Sequence, residues 1–275
     1  MSADEDDIDA SSAPLIEHLI ELRQRLMKTV IAIAVFFVLC FIFADRIFNV
    51  LIVPYQWGAG TTDVKFIYTA LEEYFFTQLK IALFGSLFIS FPVIATQVYG
   101  FVAPGLYKNE RRAFLPFLVA TPVLFLIGSC LVYFLIMPLA TKFFLSQQQV
   151  GGDGLATIEN LQAVSTYLSL IMTLIFAFGL VFQLPVAITL LARVGLTSSD
   201  WLRDKRKYAI VLTFIAAAVL TPPDPISQLG LAIPALALYE VSIYMARMVE
   251  RQRAQREKAE EEGSSASTAT DVATE

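Results

Sequence analysis

The chain has 275 residues, 56% of them hydrophobic and only 16% charged, with a mean hydropathy of +0.64 and a formal net charge of −5. A soluble globular domain carries about a quarter charged residues, so the composition excludes one and indicates an integral membrane protein. The single histidine and two cysteines leave no material for a disulfide framework or a Cys/His metal cluster, and no P-loop or dinucleotide-type glycine motif occurs.

Residues 1–14 hold Asp4, Glu5, Asp6, Asp7 and Asp9 without a basic and apolar leader pattern, which predicts a disordered acidic tail and not a cleaved signal. Residues 15–28 form an amphipathic foot. At about 100° per residue, Leu15, Leu19, Leu22 and Leu26 share one face, widened by Ile16 and Ile20, while Glu17, Glu21, Gln24 and Lys28 share the other. Arg23 projects into the apolar stripe, where its guanidinium needs protein acceptors or lipid headgroups. Glu21 sits in the middle of the polar face, placed to meet a cation or to pair with Arg25 one turn on.

A first span is expected over 27–44. Residues 45–74 are expected as an interfacial loop, because turn formers (Pro54, Gly58, Gly60) mix there with Tyr55, Trp57, Phe66 and Tyr68. A second span (75–98, with Lys80, Ser86, Ser90 and Pro92), a short loop (100–112), a third span (113–136) and a second long loop (137–165) follow. The fourth span (166–192) carries Gln183 beside Pro185, and 193–207 is basic. Between Lys207 and the breaker at 221–225 only Tyr208–Leu220 remain, about 20 Å of helix against a hydrocarbon core of about 30 Å. A sixth span (226–245) precedes a charged stub and a Ser/Ala/Thr-rich tail, so the chain divides into a tail (1–14), a membrane domain (15–246) and a cytoplasmic tail (247–275). Cys40 and Cys130 read as small buried hydrophobes.

Basic residues set the orientation. Arg23, Arg25, Lys28, Lys108, Arg111, Arg112, Arg203, Lys205, Arg206 and Lys207 flank alternate loops, and the positive-inside rule places both termini in the cytoplasm. The fold class is therefore all-α: a polytopic membrane protein of six transmembrane helices, N-in and C-in.

Several polar residues carry two readings each. Glu110, between Lys108 and Arg111, is a solvated loop charge or a ligand. Gln97 and Gln183 are inter-helix hydrogen bonders or lining groups. Glu240 can snorkel or pair with Arg247, Lys80 can snorkel at the outer interface, and Asp224 can cap the sixth span.

Four stretches taken together go further: His18–Leu26 (HLIELRQRL), Pro92–Arg112 (PVIATQVYGFVAPGLYKNERR), Phe178–Val186 (FGLVFQLPV) and Leu220–Gln228 (LTPPDPISQ). In this order they resemble the TatC family, the multispan receptor component of the twin-arginine protein translocase, over about Leu15 to Arg247. The resemblance implies a concave, glove-like bundle and export driven by the proton-motive force. It implies that Glu21 and Glu110 hold the paired arginines of a signal peptide on folded cargo, with Arg23, Gln97, Phe101 and Pro54 at other sensitive positions. It also implies that Thr221 and Gln228 meet TatA- and TatB-type single-span partners, and that copies assemble within a receptor complex in the cytoplasmic membrane. Asn109 stands where a histidine is frequent. Gln183 stands where some members carry an intramembrane glutamate, so a proton-linked role there is not implied for this chain. No cofactor, metal or nucleic acid is implied.

Two other classes stand beside this reading. A secondary transporter would use Lys80, Gln97, Gln183 and Glu240 as an intramembrane path, and would be supported by inverted repeats, of which the halves show no trace. A membrane hydrolase would need a nucleophile–base pair inside the spans, and His18 lies outside them. The chain is expected not to be an enzyme.

Overall fold

The computed structural model describes residues 3–102, 111–148, 162–221 and 224–272. Ten α-helices are described: α1 (Ala3–Ile42), α2 (Ala44–Ala59), α3 (Glu73–Val102), α4 (Arg111–Leu131), α5 (Met137–Ser146), α6 (Val164–Val181), α7 (Leu184–Val194), α8 (Ser199–Asp204), α9 (Arg206–Leu220) and α10 (Pro225–Val272). A π-helical stretch, Val132–Ile136, joins α4 to α5, and two short strands, β1 (Phe66–Ile67) and β2 (Gln162–Ala163), pair in parallel. Among the described residues, five helical stretches are long and apolar enough to cross a bilayer: His18–Ile42, Glu73–Phe101, Phe117–Ser146, Val164–Arg193 and Ser227–Gln255. The fifth expected span, which is not among these five, corresponds to α9, whose 15 residues give about 22 Å.

The chain divides into two units, Met1–Phe176 and Ala177–Glu275. In the first, α1 lies along α3. The two helices run antiparallel: the guanidinium of Arg25 sits where a Cβ on Gly100 would be, 2.1 Å from Nη1, and Cys40 Sγ lies 3.0 Å from the Cβ position of Gly85.

The interval 44–59, expected as loop, is the helix α2. Pro54 lies inside it and is buried. Proline has no N–H, so the carbonyl of Val50 one turn earlier is freed. The Tyr133 hydroxyl donates to that carbonyl at 2.7 Å, and the Tyr167 hydroxyl donates to Leu51 O at 2.9 Å. Two phenols thus satisfy the backbone at the proline, and Tyr55, Phe66 and Tyr167 pack as a ring cluster beneath it. Gly58 allows α2 to approach α5, because a Cβ there would meet Pro138 O and Thr141 Cβ at 2.6 Å. The start of α2 is tied to α3: Asp45 accepts from Tyr74 (2.8 Å) and Gln78, and these bonds hold its carboxyl below the usual carboxylate range.

Three further expectations are corrected. Helix continues from the third span through the π-helical stretch Val132–Ile136 and α5 to Ser146, with Pro138 at the junction of the π-helical stretch and α5. The basic stretch after span 4 contains α8, capped by the Ser198 hydroxyl accepting from Trp201 N at 3.2 Å. Cys130 is exposed and not buried; Cys40 is buried, and both thiols are free. Helix also extends to Ala3 and to Val272, beyond the expected helical limits at both ends. The Ala/Glu/Arg/Lys-rich run after Arg247 is composed of strong helix formers.

In the second unit, α10 packs against α7, α8 and α9. The fourth expected span is interrupted at Phe182–Gln183, with Pro185 in the first turn of α7. Gly195 ends α7 at φ +82°, and Leu196 N donates back to Leu191 O at 2.9 Å. Asp224 caps α10 as expected, accepting from Ser227 N at 2.7 Å through Oδ1.

Candidate functional site

The foot of α1 and the last turn of α3 bring together five residues from two distant stretches of sequence. His18 stacks on Phe101 with ring centroids 4.3 Å apart and an interplanar angle of 20°. Glu21 lies one turn on from His18. Arg25 donates to Glu21 Oε1 from Nε at 3.0 Å and from Nη2 at 2.6 Å. The Arg25 guanidinium rests on Gly100, next to Phe101, at a distance that only a residue without a side chain permits. Of the two readings of Glu21, this structure contains the pair with Arg25.

That pair does not consume the carboxylate. Both Arg25 bonds go to Oε1, while Oε2 lies 3.9 Å from His18 Nδ1, beyond hydrogen-bond reach. The Glu21 side chain is 33% exposed. Oε2 is therefore an acceptor open to an incoming donor, on a carboxylate whose other oxygen is fixed. A fixed, partly desolvated carboxylate suits a guanidinium better than an ammonium, because the planar fork satisfies both in-plane lone pairs.

Gln97 lies one helical turn before Phe101 on α3 and is half-buried. Arg23 is exposed along with Leu19, Ile20, Leu22 and Leu26, and among the described residues it forms no ion pair. The apolar stripe of the foot thus faces outward, with the guanidinium of Arg23 exposed among it. Glu110 falls outside the described residues.

The remaining candidates lie elsewhere. Thr221 is buried and donates to Ala217 O at 2.9 Å, so its hydroxyl turns back onto α9. Gln228, in the first turn of α10, is partly exposed. Gln183 occupies the N-cap position of α7 without a side-chain capping bond and donates from Nε2 back to Gly179 O at 3.3 Å. Glu240 pairs with Arg206 and not with Arg247, and its side chain is 54% exposed. Lys80 is also exposed. These two are not buried charges facing a path through a bundle. Among the described residues no group of three metal-ligating side chains forms.

Sequence reasoning treated His18 only as a lone histidine and did not pair Arg25 with Gly100. The available signal was Gly100 at the end of an apolar span, a position where a close approach by another element is a standing explanation.

The family model for TatC, the Sec-independent protein translocase protein, matches residues 17–234. The chain belongs to the TatC family. Its sequence is 53% identical over 249 residues to the TatC of Magnetococcus marinus, covering 90% of this chain and 89% of that one. It is 41% identical over 236 residues to the TatC of Escherichia coli K12, covering 85% and 88%. The fold is similar to the crystal structure of the twin arginine translocase receptor TatC, with a TM-score of 0.73 at 35% identity over 85% of this chain and 99% of that one. A second crystal structure of that receptor, in DDM, gives 0.73 at 36% identity over 83% and 99%. The TatC match spans the foot, the His18–Phe101 stack and Glu21, so the cluster lies inside the family's domain and not in a tail. This chain is a multi-pass membrane component of a protein translocase.

Proposed function

We propose that this TatC-family chain is the receptor that recognises twin-arginine signal peptides of folded cargo at the cytoplasmic face of the inner membrane. The reading takes α9 as a sixth, short span and both termini as cytoplasmic. The observation that carries it is Glu21, held by Arg25 through one oxygen with the other open, beside the stacked His18–Phe101 pair. Adjacent residues of an extended peptide point to opposite sides, so one carboxylate does not grip both arginines. Glu21 on the foot and Glu110 on the following cytoplasmic loop take one each. Gln97 and Phe101 line the approach, and Arg23 anchors the foot at headgroup level. Exposed ion pairs contribute about 0.2–1 kcal/mol each, and more where partly desolvated. Gln228, with Thr221 next to it at the end of α9, meets TatA- or TatB-type helices, and receptor copies assemble with them.

Binding of a synthetic twin-arginine signal peptide to purified protein in nanodiscs tests the assignment. Glu21→Ala and Glu110→Ala are each expected to weaken binding on the order of tenfold to a few hundredfold without loss of membrane insertion. Replacing Arg-Arg in the peptide by Lys-Lys is expected to cost a similar factor against wild type and much less against the double variant, the non-additivity that marks direct pairing. Full affinity in both single variants would overturn it.

A further inference from the structure

Within the first unit a cavity of about 440 Å³ opens between α2, α3 and the α4–π-helical segment. Leu51, Phe84, Ser129 and Ile175 form its buried floor, whereas Val50, Ile89 and Phe134 at its rim are exposed. It persists because small residues face it: Gly85, Ser129 and Cys130. A Cβ at Gly85 would lie 3.0 Å from Cys40 Sγ and 3.2 Å from Ile47 Cδ1, so those side chains would have to give by a few tenths of an ångström.

Its depth follows from helix register. Arg25 meets Gly100 and Cys40 meets Gly85, fifteen residues apart on both α1 and α3, or about 22 Å of helix. Continuing outward along α3 to Lys80 brings the distance from Gly100 to about 30 Å, the thickness of the hydrocarbon core. The cavity, at Phe84–Ile89, therefore lies inside the apolar layer, in the leaflet farther from the foot of α1. Lys80 and Arg46 are exposed near the corresponding boundary, Arg46 with its guanidinium 5.4 Å from the Phe43 ring centroid. Among the described residues neither cation forms an ion pair. Asp45, next to Arg46, is already taken up by Tyr74 and Gln78.

We infer that this cavity is a binding site for one acyl chain of a bilayer phospholipid, whose phosphate lies at the level of Arg46 and Lys80. Volume decides between a chain and a protein helix. A helix about 10 Å across has a section of about 80 Å², so this space holds roughly a single helical turn; an extended hydrocarbon chain enters sideways through the exposed rim. The lining is apolar apart from Ser129, whose hydroxyl is engaged by Phe125 O at 2.8 Å, and Tyr133, whose hydroxyl is engaged by Val50 O. Water has no partners there. A bound chain supports α2 from below, next to the Tyr133–Val50 bond that holds the proline bend.

The full chain in mild detergent, supplied with dioleoyl phosphatidylglycerol, tests this by native mass spectrometry. Wild type is expected to retain one phospholipid per chain after delipidation, and Ile89→Phe and Cys130→Phe, which fill the cavity, are expected to lower that occupancy several-fold. As a second reading independent of those variants, Cys130 in a Cys40→Ala background is expected to react several-fold more slowly with an apolar maleimide once phosphatidylglycerol is added back. Loss of all lipid from wild type, undiminished occupancy in both filled variants, or a Cys130 rate indifferent to lipid would overturn the inference. A crosslink from Cys130 to a signal peptide or a single-span partner that displaces the lipid would overturn it in favour of a protein occupant.

Discussion

Arg25 is both partner and competitor for Glu21. Its two bonds fix the carboxylate, and any arriving guanidinium meets an acceptor already half-neutralised. Gly100 controls this arrangement. A Cβ there would lie 2.1 Å from Nη1, 2.8 Å from Cζ and 3.1 Å from Nη2 of Arg25, all at the flexible end of a side chain. Gly100→Ala is therefore expected to displace the guanidinium while leaving the α1–α3 backbone in place. Thermal midpoint should fall by no more than about 1 kcal/mol equivalent, as for a surface ion pair with an interior glycine exchanged for a better helix former. Signal-peptide affinity should change by about two- to tenfold, upward if competition by Arg25 dominates and downward if its fixing of Glu21 dominates. Isothermal binding of the twin-arginine peptide reads the sign, and an unchanged affinity would remove Arg25 from the recognition surface.

Among the elements, α9 is the one whose length would not match a bilayer on the six-span reading proposed above. Fifteen residues reach about 22 Å, and Thr221 at its end closes the helix on Ala217 O instead of extending it. A helix short of the core by several ångströms thins the bilayer or is covered by other helices, at fractions of a kcal/mol per ångström. The buried carboxylate of Asp224 follows at once and caps α10 through Ser227 N. Inserting three leucines between Val219 and Leu220 adds about 4.5 Å and is expected to leave membrane insertion intact while lowering export of a twin-arginine reporter at least several-fold. Crosslinking from a cysteine at Gln228 to a TatA-type helix should fall in parallel. Full export with the longer helix would show that the mismatch has no part in partner contact.

For the whole molecule, basic residues distribute to alternate ends of the apolar helices, and the consequence is measurable in intact cells. In a Cys40→Ala, Cys130→Ala background, a cysteine at the exposed Asp63 is expected to react with a membrane-impermeant maleimide. One at the exposed Asp200, after the fourth long apolar helix, is expected to react only after permeabilisation. Labelling of Asp200→Cys from outside would invert the arrangement and detach Glu21 from the face on which cargo signals arrive. Clamps on the Asp200 side reinforce its order: Ser199 donates from N and Oγ to the two carboxylate oxygens of Glu250, at 2.7 and 2.6 Å, tying α8 to the extension of α10 beyond the apolar stretch.

Composition and local patterning alone were enough to read a helical membrane protein, to locate five of its long apolar helices, to find that the helix before the 221–225 turn is short, and to place Asp224 as the cap of the last helix. Those properties depend on composition and local periodicity, because a backbone in lipid must satisfy its own hydrogen bonds and helices do so within each segment. The ordered set of short motifs was also enough to identify the family. What the sequence did not show was decided by contacts between distant segments. Pro54 and Gly58 read as loop signals, yet α2 is a helix because Tyr133 and Tyr167 supply donors to the carbonyls around the proline and Gly58 fits against α5. Cys130 reads as a core residue by hydropathy, but in a membrane apolar side chains are equally at home facing lipid, so polarity alone does not tell inside from outside. Glu240 finds Arg206 on the neighbouring helix in place of Arg247 on its own. The state of Glu21 was open between two partners until the fold laid Arg25 on Gly100 and His18 on Phe101, because only helix packing sets which side chains from residues 18–25 and 100–101 come within reach of one another.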